Sequence, residues 1–99
     1  MKRVRAPTPE QAEEVAIQAL RFIAGDAERL GRFLAITGIG PAELRTTAHE
    51  PGFLVGVLDY MASDDRLIAA FAAENNLDPA YIDKSRIALA GNPWEREVP

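Results

Sequence analysis

The sequence predicts an all-α protein, a compact irregular bundle of five to six short helices. Three observations predict it. Apolar residues recur at three- and four-residue steps, the spacing that lines one face of a helix. Capping residues, Pro and Gly stand where helices start and stop, at intervals that allow only short ones. No stretch alternates apolar and polar residues for long enough to compete as a strand.

The first helix opens at Thr8-Pro9-Glu10-Gln11, with a capping Thr, a Pro at the first helical position and a Gln three residues after the cap. Ala12, Val15, Ala16, Ala19, Leu20 and Ile23 make its apolar stripe, and Glu10 and Arg21 suit the two ends of the macrodipole. Gly25 is expected to stop it in the left-handed conformation. Asp26 caps a second helix with Leu30, Phe33, Leu34 and Thr37 inward and Glu28 and Arg32 paired outside. Gly38 ends it. Pro41 opens a third helix to about Ala48, and Pro51 opens a fourth to Ala62 with Leu54, Val57, Leu58 and Met61 on one face. Asp64 or Ser63 caps a fifth, carrying Leu67, Ile68, Phe71 and Ala72 as far as Asn75-Asn76. Asp78-Pro79 starts a sixth, closed by Gly91.

These 99 residues suffice for one domain, read as residues 8–91 between a mobile N-terminal segment, 1–7, and a C-terminal tail, 92–99. With no Cys, the chain has no disulfide, no thiolate nucleophile and no cysteine-ligated zinc. Glu10, Glu13 and Glu14 follow the basic start, where a signal peptide would need an apolar run. The longest apolar runs, Phe53 to Leu58 and Leu67 to Ala73, are too short to span a bilayer. A soluble cytoplasmic protein is expected. The net charge of −4 weighs against a general nucleic-acid binder, which needs a concentrated basic surface.

Several motifs in this order carry a resemblance: Arg32-Phe33-Leu34, Thr37-Gly38-Ile39, Leu44-Arg45, Phe53-Leu54, Val57-Leu58-Asp59, Phe71, Asp78-Pro79 and Leu89-Ala90-Gly91. From Val15 to Gly91 the chain resembles a small bacterial family known as domain of unknown function three-five-seven-two. The resemblance implies a stand-alone, all-helical, cytoplasmic bacterial protein. It brings no activity, cofactor or catalytic residue.

The joint Thr37-Gly38-Ile39-Gly40-Pro41 is the one local pattern suited to chemistry. Gly-apolar-Gly between two helices is how a helix-hairpin-helix module aims backbone N–H groups at a phosphate, helped by the start of the next helix. Ile39 would plug between the helices, and Arg45 with Arg29 or Arg32 would add phosphate contacts. The same letters also make an ordinary helix stop and start.

Neither His49, the single histidine, nor Asp59, on the apolar fourth helix, has a partner that completes a catalytic or metal-binding set. His49 reads as a helix-end cation and Asp59 as a solvated or Arg-paired carboxylate, with a buried functional carboxylate as the lesser alternative. Gly31, Gly52 and Gly56 lie in apolar helices, where close packing is the expected reason for their cost. Trp94, the single Trp, follows the last helix and either docks on the core edge or anchors a partner.

No catalytic residue, cofactor site or metal site is predicted. The chain is read as a non-enzymatic module that binds another protein or a second copy of itself, with Trp94 and Tyr60 as interface candidates. Phe22, Phe33, Phe53, Phe71 and Tyr60 are many large aromatics for so small a bundle to bury. The alternative is a nucleic-acid-binding module that uses the Gly38-Ile39-Gly40-Pro41 joint. Membrane binding is not expected.

Overall fold

A computed structural model describes residues 5–48 and 50–91. Six α-helices follow one another among them: α1 (Pro9–Ala24), α2 (Ala27–Thr37), α3 (Pro41–Thr47), α4 (Pro51–Ala62), α5 (Asp65–Asn75) and α6 (Pro79–Ala90). The described residues form no strand. No helix among them is long and apolar enough to cross a membrane.

Side chains written into the sequence set the helix starts. At α1 the Thr8 hydroxyl accepts from the Gln11 N–H at 3.1 Å, while the Gln11 side chain accepts from the Thr8 N–H at 3.0 Å. Asp26 caps α2 through the Glu28 N–H at 2.9 Å, and Asp78 caps α6 through the Ala80 N–H at 2.8 Å. At α5 the cap is Asp64, which accepts from the N–H groups of Arg66 and Leu67. Ser63 instead closes α4, donating its hydroxyl to the Tyr60 carbonyl at 2.6 Å. Each such cap contributes about 1 kcal/mol.

Helix ends follow the sequence except at Gly25. Gly38 ends α2 at φ 75° and Asn76 ends α5 at φ 55°, both left-handed. Gly25 departs from the left-handed expectation and stays right-handed at φ −74° and ψ −8°. The turn comes one residue later. Asp26 adopts an extended conformation to cap α2, so Gly25 need not reverse the chain.

The core is built on α1 and α4. Val15, Ala16, Ala19, Phe22 and Ile23 meet Leu54, Val57, Leu58 and Met61, and Phe33, Phe71 and Ile82 close the space from α2, α5 and α6. α1 lies against α4 and α6, while α5 packs on α4 and α6. Each large side chain fully buried here stabilises the fold by about 1.5–3 kcal/mol. α3 contributes no buried residue and touches the core through half-buried Leu44.

The core accommodates three of the five aromatics singled out above. Phe22, Phe33 and Phe71 are buried, whereas Phe53 and Tyr60 are only half-buried. Pro7, assigned to the N-terminal segment, is buried. Thr37, expected to point inward, is exposed, because its hydroxyl bonds back to the Phe33 carbonyl at 2.8 Å. The helical glycines do not mark close packing either. A Cβ added at Gly31, Gly52 or Gly56 would meet nothing within 4 Å.

Candidate functional site

The joint between α2 and α3 has its N–H groups occupied from within. The Gly38 N–H bonds to the Leu34 carbonyl at 2.9 Å as the α2 cap. The Ile39 N–H reaches Thr37 Oγ1 at 3.4 Å, and the Gly40 N–H donates to Glu43 Oε1 at 3.1 Å. Glu43 thus places a carboxylate where a phosphate would sit. An incoming phosphate would have to displace an anion that the chain already supplies. α3 has only seven residues, so its dipole is short. Arg45 stands exposed on α3.

Arg29 and Arg32 line a different feature. Three residues apart, they share one face of α2. Opposite them, the corner between α4 and α5 brings up Tyr60, Arg66 and Leu67, and the space between is a groove of about 330 Å³. Asp26, Glu28 and Asp64 complete its rim. None of Gly38, Ile39, Gly40 and Arg45 lines it.

Packing fixes the groove's walls. The Arg29 guanidinium lies over the Phe22 ring, 4.0 Å from its centroid, and its Nε is 4.0 Å from Asp26. Stacking of a cation on an aromatic face is worth about 0.5–1 kcal/mol at an exposed site. The rings of Tyr60 and buried Phe33 meet edge to face, with centroids 5.1 Å apart. Leu67 packs against the core while keeping part of its surface open. Arg32 and Arg66 are exposed and make no ion pair among the described residues. The expected Glu28–Arg32 pair is therefore not formed. The ion pair on α2 is Asp26 with Arg29 instead.

The sequence singles out Tyr60, Arg29 and Arg32 without any sign that they meet. Arg66 it passes over, Leu67 reads as core, and Asp26 and Asp64 read as caps. No local pattern links α2 to a corner some thirty residues later (about 8 turns of helix, in chain length). The groove follows from tertiary packing: α1 holds α2 and α4, and the Phe33–Tyr60 contact joins α2 to the end of α4.

Asp59 is exposed and pairs with Arg86 on α6 at 3.4 Å. Arg86 also meets Asp83 at 3.0 Å, and that hydrogen bond above all raises its pKa beyond the ordinary arginine value. The arrangement ties α4 to α6. Arg86 also edges a smaller apolar groove of about 160 Å³ floored by Leu58 and Ile82. Among the described residues no group of three His, Cys, Asp or Glu side chains is placed to hold a metal. His49 and Trp94 lie outside the described residues.

A family model described as "Protein of unknown function (DUF3572)" matches residues 9–92. The chain belongs to that family. The DUF3572 match starts at the first residue of α1 and runs past the end of α6, so it takes in every helix described above. No curated protein and no solved structure matches the chain.

Proposed function

We propose that this DUF3572 chain is a non-enzymatic protein-interaction module, and that it docks a segment of another protein in the groove between α2 and the α4–α5 corner. The composition of that groove carries the reading. Tyr60 with Arg29, Arg32 and Arg66 is the combination enriched at the centres of protein interfaces. Tyr60 supplies a rigid aromatic surface already held by Phe33, and Arg29 is held by Phe22, so little ordering remains for binding.

The nucleic-acid reading has less support. The glycine N–H groups at the joint already have acceptors, and Arg29 and Arg32 line the groove instead. An enzymatic reading would need His49 or Asp59 in a deep pocket, and Asp59 is exposed beside Arg86.

The test is selection of peptides from a random displayed library on the intact chain, followed by affinity measurements on single variants. Arg32→Ala and Arg66→Ala, both at exposed positions, should weaken the selected peptides. Arg21→Ala, on α1 outside the groove, should not. Peptides indifferent to both groove variants would contradict the proposal.

A further inference from the structure

Resting on that reading, we infer that the groove takes an acidic segment: a short peptide whose carboxylate lies between Arg32 and Arg66 and whose apolar neighbour lies on Leu67. The chain as a whole carries a net charge of −4, yet three of its arginines line this one groove. Three carboxylates line it too, so the groove is formally balanced, but Asp26 and Asp64 stand at the positive ends of α2 and α5, which offset part of their charge. Asp26 and Asp64 are both engaged as helix caps, accepting backbone N–H groups at 2.9 Å and at 3.0 and 3.3 Å. Arg29 is held by the Phe22 ring and by Asp26. Glu28 keeps its charge, and Arg32 on α2 and Arg66 on α5 line the same groove without an ion pair among the described residues.

A guanidinium presents a planar fork of donors that fits a carboxylate in a bidentate way, and such charge-assisted bonds are about twice as strong as neutral ones. The partner's chemistry is narrowed further by the rim. Glu28 and Asp64 oppose any anion, but they oppose the evenly spaced phosphates of a nucleic acid more than a peptide with one carboxylate, whose N–H donors they can accept. The volume, about 330 Å³, lies at the small end of ligand pockets, about 300–1,000 Å³, and suits a few side chains. Tyr60 and Leu67 give the apolar contact that an amphipathic segment needs.

The experiment uses the peptides selected on the intact chain, each compared with a version carrying glutamine for glutamate and asparagine for aspartate. The selected pool should be acidic, and the amide versions should bind about tenfold more weakly or worse. Binding should weaken as salt rises, because the pairing charges are exposed. Arg32→Ala and Arg66→Ala should each erase most of the difference between acidic and amide peptides. Groove-binding peptides without acidic residues, or amide versions that bind equally well, would overturn the acidic inference and leave the interaction reading standing. Peptides that bind elsewhere, or none at all, would overturn both. A short DNA duplex that displaces the acidic peptides from the groove would overturn the peptide assignment in favour of a polyanion.

Discussion

The ring of Tyr60 meets the ring of Phe33 edge to face, with centroids 5.1 Å apart and planes at 82°. Phe33 is buried and Tyr60 is only half-buried, so the contact connects the core to the groove wall. The geometry is the favoured one for aromatic pairs, since the positive ring edge faces the negative ring face. Tyr60 therefore has two roles, one in stability and one in presenting the groove.

Substitution separates the two roles. Tyr60→Phe keeps the edge-to-face contact and should change the unfolding free energy by less than about 0.5 kcal/mol in urea titrations. Tyr60→Ala should cost about 2 kcal/mol, below the 3–5 kcal/mol of a fully buried aromatic. A Tyr60→Ala chain as stable as the parent would show that Phe33 does not hold the groove wall.

Gly38 and Gly40 should behave differently although they sit two residues apart. Gly38→Ala places a Cβ at φ 75° and should destabilise the chain by about 1–2 kcal/mol. Gly40 lies at φ −80°, and its added Cβ would touch only the flexible end of Glu43, at 3.4 Å. Gly40→Ala should stay within about 0.5 kcal/mol of the parent in thermal melts. Equal losses at both positions would mean that the joint demands two glycines for a reason other than ending α2.

Gly31 and Gly56 point the opposite way. Both are exposed within helices, and a Cβ at either would meet no neighbouring atom within 4 Å. Gly31→Ala and Gly56→Ala should each stabilise the monomer by about 0.4–1 kcal/mol, read from chemical denaturation. Loss of stability in dilute solution would contradict the open surroundings of these helices.

Much of the fold is legible in the sequence because its causes are local. Thr8, Asp26 and Asp78 cap helices through residues two or three positions away, and Gly38 turns the chain within its own joint. Apolar spacing likewise assigns Leu54, Val57, Leu58 and Met61 to one buried face. Gly25 goes astray because the neighbouring cap, Asp26, takes over the change of direction. Thr37 goes astray because its hydroxyl bonds back to its own helix. The groove was legible only in fragments. Arg29 and Arg32 stand out as cations and Tyr60 as an aromatic, but their meeting with Arg66 depends on how α2 packs beside the α4–α5 corner.

Asp64 gives a test of the groove's electrostatics that leaves its shape alone. Asparagine caps a helix about as well as aspartate, so Asp64→Asn should keep stability within about 0.5 kcal/mol. Removing this negative charge beside Arg66 should tighten acidic peptides, and the gain should shrink as salt rises. Asp64→Ala, which lacks the cap, should lose about 1 kcal/mol of stability. Calorimetric titration of the selected peptides into both variants measures the first effect, and thermal melts measure the second. Weaker acidic-peptide binding by a fully folded Asp64→Asn chain would reverse the expected sign.

Docking in the groove beside Tyr60 can be followed residue by residue in an amide NMR titration of the intact chain with a selected acidic peptide. Shifts should centre on Glu28, Arg32, Tyr60, Arg66 and Leu67, with Gly38, Ile39, Gly40 and Arg45 unmoved. Shifts centred on the α2–α3 joint, with the groove residues still, would contradict it.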